Sequence, residues 1–135
     1  MLRFNANTKQ IQINRGDSAD LTVTAKDKTG ETYMFQQNDV IKFKVSEAKN
    51  EENVVIEKSV TVDEETDAVI ISLSSEDTKI GDYINKPVKY WYEISIERNN
   101  GDVFTIIGYE DDDPKEFVLN PEAGNKEIEA GGSND

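Results

Sequence analysis

The stretch from Pro87 to Gly108 constrains the fold of this chain more than any other. Its first half alternates between two sets of side chains, one apolar (Val88, Tyr90, Tyr92, Ile94 and Ile96) and one mostly polar (Lys89, Trp91, Glu93, Ser95 and Glu97). A period of two over this length is typical of a strand with one buried and one solvated face. Asn99-Asn100-Gly101 follows, a turn sequence that tolerates positive φ, and residues 102–107 return as a second strand. The stretch therefore predicts one long β-hairpin and an antiparallel β fold.

Similar alternation recurs along the chain in short segments that turn sequences separate. Strands are expected at residues 9–14, 21–25, 31–35, 39–46, 54–62, 69–73 and 115–120. Ser75-Glu76-Asp77-Thr78 contains the residues of a helix start, so at most one short helical turn is expected near 75–80. About eight or nine short strands predict an all-β fold of antiparallel sheets, and the pattern alone does not separate a sandwich from a barrel.

Composition excludes most catalytic designs. The chain of 135 residues contains no cysteine and no histidine. It therefore lacks thiolate nucleophiles, sulfur ligands for zinc, and the usual general base near neutral pH. Neither a Ser-His-Asp nor a Cys-His apparatus can be built from these residues. Carboxylate pairs remain possible, but nothing in the sequence singles one out, and we expect neither an enzyme nor a cofactor.

The charge distribution indicates a folded body and an acidic tail. The formal net charge is −13, which repels nucleic-acid phosphates and anionic membranes, so neither partner is expected. More than half of the excess lies in residues 110–135. We expect one sandwich domain at 1–120 and a disordered tail at 121–135. The sequence shows no signal peptide and no apolar stretch near the roughly 20 residues that span a bilayer.

Trp91 is the sharpest candidate for a contact residue. Tyr90 and Tyr92 share the parity of the apolar positions and are expected in the core, whereas Trp91 shares the parity of the polar ones. Two interpretations stay open: the N-terminal segment (Leu2 and Phe4) or a loop covers Trp91, or Trp91 contacts another subunit or a sugar ring.

Met34 and Phe35 are further candidate contacts. The two apolar residues are adjacent in a short predicted strand, so their side chains point to opposite faces. One of the pair is therefore expected to be exposed.

Three other motifs have simpler interpretations. Asp63-Glu64-Glu65-Thr66-Asp67 and Glu110-Asp111-Asp112-Asp113 are acidic clusters on predicted loops, from which calcium takes oxygen ligands. Neither has the alternating acidic order that wraps one ion, so solvated turns are favoured over a cation site. Arg15-Gly16-Asp17 is the tripeptide known for integrin binding, and a tight turn between two strands is the favoured interpretation.

The order of these segments resembles the immunoglobulin-like N-terminal domain of phage baseplate upper proteins. The likeness covers most of residues 9–120 and rests on three phrases: residues 13–24 followed by Asp27-Lys28-Thr29-Gly30, the connector of residues 73–78 with Gly81 and Tyr83, and Tyr90-Trp91-Tyr92-Glu93-Ile94 before an Asn-Gly turn. The resemblance implies an immunoglobulin-like β-sandwich.

The resemblance also implies a non-catalytic role in a virus particle. The expected protein is a structural or assembly component of a tailed-phage or prophage-derived particle, in its tail, baseplate or capsid. Its partners would be other phage structural proteins and copies of itself, and its location the virion after assembly in the bacterial cytoplasm. The alternative is a carbohydrate-binding sandwich that contacts a cell surface and presents Trp91 to a glycan.

Overall fold

Nine short strands build the described part of this chain. The computed structural model describes residues 2–27, 29–48, 53–107 and 115–122. Within these ranges the strands are β1 (Arg3–Phe4), β2 (Ile11–Asn14), β3 (Ala19–Val23), β4 (Val40–Ser46), β5 (Val54–Thr61), β6 (Val69–Leu73), β7 (Val88–Glu97), β8 (Val103–Ile107) and β9 (Lys115–Asn120). The same ranges contain no helix.

The strands form two sheets of unequal width. The larger sheet has seven strands in the order β1-β2-β9-β7-β4-β5, with β8 also paired to β7. The smaller sheet consists of β3 and β6. All pairs are antiparallel except β2 and β9, which run parallel. The predicted all-β, mainly antiparallel fold is confirmed, and the arrangement is that of a β-sandwich.

The long strand β7 lies at the centre of the larger sheet. One of its edges pairs with β4 along residues 91–97, and the other is shared, with 88–92 paired to β9 and 94–97 to β8. The predicted hairpin from Pro87 to Gly108 is confirmed as β7 and β8. Its turn closes where the Arg98 amide donates to the Asp102 carbonyl at 2.7 Å, and Gly101 supplies the positive φ of 95°.

The core follows the alternation of the sequence. Its fully buried members come from both sheets and include Phe43, Phe117, Ile11, Ile13, Ile41, Ile71 and Leu119. Tyr90 and Tyr92 are buried, as their parity predicts. The Phe43 ring lies 5.9 Å from the Tyr92 ring and 6.3 Å from the Phe117 ring, measured between centroids, so three strands meet in one aromatic cluster.

Two predicted elements take a different form. Residues 31–35 form no ladder but two isolated bridges, one from Thr32 to Lys26 and one from Phe35 to Thr66. Residues 74–80 form hydrogen-bonded turns and no helix. The Ser74 amide donates to Asp77 Oδ2 at 2.7 Å, and the Asp77 amide donates to Ser74 Oγ at 3.1 Å. These reciprocal bonds satisfy the groups that a helix start would leave open.

Most of the predicted tail lies outside the described residues. Of the segment 121–135, the structure describes Pro121 and Glu122. The acidic cluster at 110–113 also lies outside the described ranges. The proposed boundary at residue 120 and the order of the tail stay predictions.

Stability is expected to fall at alkaline pH. Burial, and secondarily the Glu47 carboxylate, raises the pKa of Tyr90 above its ordinary value of 10.0. The folded state therefore holds the phenol proton more tightly than the unfolded chain does, and the resulting stability is present below pH 10 and is lost as pH rises through the raised pKa. Urea unfolding at about pH 8 and about pH 11 should show a smaller alkaline loss for Tyr90→Phe than for the unmodified chain. Equal losses would contradict the assignment.

Candidate interaction surface

Trp91 lies at the middle of the outer face of the larger sheet. It is half-buried and projects away from the smaller sheet, because its neighbours Tyr90 and Tyr92 fill the core. The residues directly opposite it are Ser46 on β4 and Glu116 on β9. The indole therefore lies at the centre of a sheet, where neighbouring strands hold it in place.

Two valines extend the apolar area around the indole. Val118 lies opposite Lys89, one position diagonal to Trp91, and is half-buried. Val54 lies opposite Ser46 on the next strand and is 42% exposed. We call the area formed by Val54, Trp91, Glu116 and Val118, together with the buried Ser46 that lies between Val54 and Trp91 in the sheet, the Trp91 surface.

A fixed carboxylate borders the indole within the Trp91 surface. The Gln10 side-chain amide donates to Glu116 Oε1 at 2.8 Å, and Lys89 Nζ lies 3.1 Å from Glu116 Oε2. Both oxygens of this carboxylate are therefore engaged, one by Gln10 just before β2 and the other by Lys89 of β7. An apolar centre with an aromatic anchor and an ordered polar rim is the anatomy of a protein–protein contact.

The N-terminal segment does not lie over Trp91. Leu2 packs against the buried core, and Phe4 is paired with Ile11, a core residue, at the edge of the larger sheet. Leu2 and Phe4 both line a cavity on the inner side with Tyr92. The interpretation in which these two residues cover the indole is therefore wrong, because Leu2 and Phe4 lie on the inner side of the sheet, where Leu2 is half-buried and Phe4 is 48% exposed.

The structure separates Met34 and Phe35 from the Trp91 surface. Met34 is 41% exposed, whereas Phe35 is fully buried and packs edge-on against Tyr33 at 5.4 Å between ring centroids. Phe35 is therefore a core residue and not a contact residue. Met34 lies among the loops at the far end of β7, about 20 Å from Trp91 by strand rise.

Arg15-Gly16-Asp17 is a structural turn. The Arg15 side chain is 11% exposed, pairs with the Glu122 carboxylate, and donates from Nε to the Ile80 carbonyl at 3.1 Å. The buried Thr78 hydroxyl accepts from the Gly16 amide at 3.0 Å and donates to the Asp17 carbonyl at 2.8 Å. Gly16 has a φ of 88°, which an L side chain rarely adopts. The Arg15 side chain is therefore engaged in intramolecular contacts that stabilise the fold.

The acidic residues of the described ranges form no metal centre. No group of three or more potential ligands gathers there. Within the cluster at 63–67, Glu65 accepts a hydrogen bond from the Gln36 side chain at 3.0 Å, which ties the turn to a neighbouring loop. The cluster at 110–113 lies outside these ranges, so its interpretation as a solvated turn stays a prediction.

The outward position of some residues of the Trp91 surface could be predicted from sequence alternation, and that of others could not. Val118 alternates with the buried Phe117 and Leu119, so its outward direction could be predicted from the sequence. Val54 reaches the surface through a register shift after Val45, and no sequence signal marks that shift. Among the described strands Trp91 is the only ring at an outward position of the larger sheet.

The described residues include no helix long and apolar enough to cross a membrane. Comparison of the chain with protein-family models, with curated proteins and with solved structures finds no match.

Proposed function

We propose that this chain is a non-catalytic structural or assembly protein of a tailed-phage or prophage-derived particle. It acts through protein–protein contacts, and the Trp91 surface is the contact. The observation that carries the proposal is a half-buried tryptophan held between Ser46 and Glu116 at the centre of a seven-stranded sheet, on the face that the smaller sheet leaves uncovered. Tryptophan at the centre of a surface is enriched among residues that dominate binding energy.

The strand arrangement supports the assignment to a phage particle because it fits the immunoglobulin-like fold that the resemblance implies. Strands β4, β7 and β9 share one sheet, and β3 and β6 share the other. This division is compatible with the CFG and BE strands of an immunoglobulin sandwich. The net charge of −13 would keep free copies apart until specific contacts form.

Incorporation into particles tests the proposal. Particles are purified from the producing strain after replacement of the wild-type gene by Trp91→Ala or by Lys42→Ala, a control at an exposed-face position of β4. Loss of an aromatic hot spot costs about 2 kcal/mol or more, roughly 30-fold in affinity, so Trp91→Ala particles should carry far less of the chain. The control should incorporate normally. Absence of the wild-type chain from particles would refute the particle assignment.

A glycan titration separates the proposal from carbohydrate binding. Binding of a sugar ring to Trp91 would shift its fluorescence as cell-wall glycans are added to the purified chain. We expect no shift, because aromatic platforms use neighbouring rings and the outward positions flanking Trp91 are Ser46 and Glu116. A saturable shift that Trp91→Ala abolishes would favour the carbohydrate-binding module instead.

A further inference from the structure

A groove runs between the two sheets along the outer edge of β3. The larger sheet is wider than the two-stranded sheet above it, so part of its inner face is left open. Two adjoining cavities of about 550 and 360 Å³ fill this space and share Ala25, Lys26 and Ile106 in their linings. Their floor is formed by apolar side chains of β7 and β8, among them Ile94, Ile96 and Ile107.

The edge of β3 forms one wall of the groove, and the floor ends at the outer edge of β8. Among the described residues β3 pairs only with β6, and β8 pairs only with β7. Strand β3 has a regular register of five residues without a bulge. Strand β8 contains no charged residue, and its Val103 and Phe104 are 66% and 46% exposed. Natural sheet edges of this kind are normally covered, charged or paired.

The overhang of the larger sheet limits what can enter. Phe4 of β1 and Ile106 and Ile107 of β8 line the groove beside β3, so a folded sheet approaching β3 edge-on would meet these side chains. A single extended chain can lie there, hydrogen-bond to β3, and direct alternate side chains onto the apolar floor. The geometry therefore favours a single extended segment over the edge strand of a folded domain.

The charges at one end of the groove favour an incoming segment with acidic residues. Lys26 and Arg98 line that end, and no carboxylate of the described ranges lies within ion-pair distance of either. Arg98 is stacked on the Tyr33 ring at 5.7 Å, and its buried Nε has no hydrogen-bond partner. The Asp27 carboxylate lines the same end and accepts from the Thr29 hydroxyl at 2.6 Å, so two cations and one anion leave this end with a net positive charge.

We propose that this groove accepts one extended strand of a neighbouring protein, antiparallel to β3, with apolar residues at alternate positions and acidic residues at its amino end beside Lys26 and Arg98. This second contact goes beyond the proposed function, since it uses a different part of the molecule from the Trp91 surface. Antiparallel pairing places the amino end of the incoming strand at the end of β3 that leads to Lys26.

Designed peptides test the groove directly. The probe is the capped nonapeptide EESVTITVS, and its charge control is QQSVTITVS. Hydrogen exchange of amides 19–25 is followed during titration of the full chain to about 1 mM peptide. We expect the acidic peptide to slow exchange at these amides by about fivefold or more and to bind several-fold more tightly than the control. Lys26→Glu, a change at an exposed side chain, should abolish that preference without unfolding the chain.

Three results would overturn the proposal. The first is an unchanged exchange rate at amides 19–25 with the acidic peptide. The second is protection in the peptide-free chain that grows with protein concentration, which would identify a second copy as the occupant. The third is protection, at every protein concentration and without peptide, of the β3 amides that point away from β6, which would mean that the chain fills its own groove. Trp91→Ala should bind the peptide normally, so failure here is distinguishable from failure of the proposed function.

Discussion

Replacement of Asp39 by alanine is expected to destabilise the fold by about 3–5 kcal/mol, because it removes a fully buried carboxylate that accepts three hydrogen bonds and leaves a cavity in its place. The Asp39 side chain is fully buried. Its Oδ2 accepts from the Gln36 amide at 2.9 Å and from the Tyr33 hydroxyl at 3.2 Å, and its Oδ1 accepts from the Asn99 amide at 3.0 Å. One carboxylate thereby joins the loop before β4 to the turn of the β7–β8 hairpin.

Chemical denaturation measures this effect, with two comparison variants. Asp39→Asn retains one acceptor oxygen and should lose about half as much stability. Asp67→Ala removes an exposed acidic residue from a turn and should change the free energy of unfolding by about 0.5 kcal/mol or less. A loss below about 1 kcal/mol for Asp39→Ala would show that its three bonds do not hold this end of the sandwich.

Replacement of Arg15 by alanine is expected to cost about 2–4 kcal/mol, the second-largest effect. The guanidinium is 11% exposed, pairs with Glu122, and donates to the carbonyls of Ile80 and Gly81. Its removal leaves two carbonyls and a half-buried carboxylate without a donor, and releases the segment after β9 from the turn after β2. Planar recognition of three acceptors requires the guanidinium fork, so Arg15→Lys should recover only part of the loss.

A matched control isolates the contribution of this arginine. Arg3 is exposed and, among the described residues, donates to the Gln12 side chain at 2.8 Å, so Arg3→Ala should be nearly neutral. A double-mutant cycle with Glu122→Gln measures the coupling across the ion pair. Similar losses for Arg15→Ala and Arg3→Ala would refute the structural role of the Arg15-Gly16-Asp17 turn.

Alternation was sufficient to predict most of the strands, because most of them have one buried face. Strand β1, whose two residues are exposed, was not predicted, and residues 31–35 were wrongly predicted to be a strand. The parity of β7 assigned Tyr90 and Tyr92 to the core and Trp91 to the opposite face, as the structure has them. Pairing beyond the hairpin was not predictable in this way. That β8 and β9 share one edge of β7 depends on tertiary packing, and two strands of the same pattern can pair with either edge.

Isolated positions were harder to predict than strands. Met34 and Phe35 are equivalent in pattern, and only the bridge to Thr66 decides which of them is buried. The burial of Asp39 could not be predicted from the sequence, because a carboxylate before a strand is usually solvated. Its burial depends on hydrogen-bond donors up to 60 positions away. The register shift after Val45, which brings Val54 beside Ser46, has no glycine or proline to indicate it.

If the proposed function is right, another protein covers the Trp91 surface in an assembled particle. Hydroxyl-radical footprinting of the chain, free and in purified particles, tests this claim directly, with the 62% exposed Tyr83 as internal reference. We expect assembly to lower the oxidation rate of Trp91 by about fivefold or more and to leave the oxidation rate of Tyr83 nearly unchanged. Equal oxidation of Trp91 in the free chain and in the particle would contradict it.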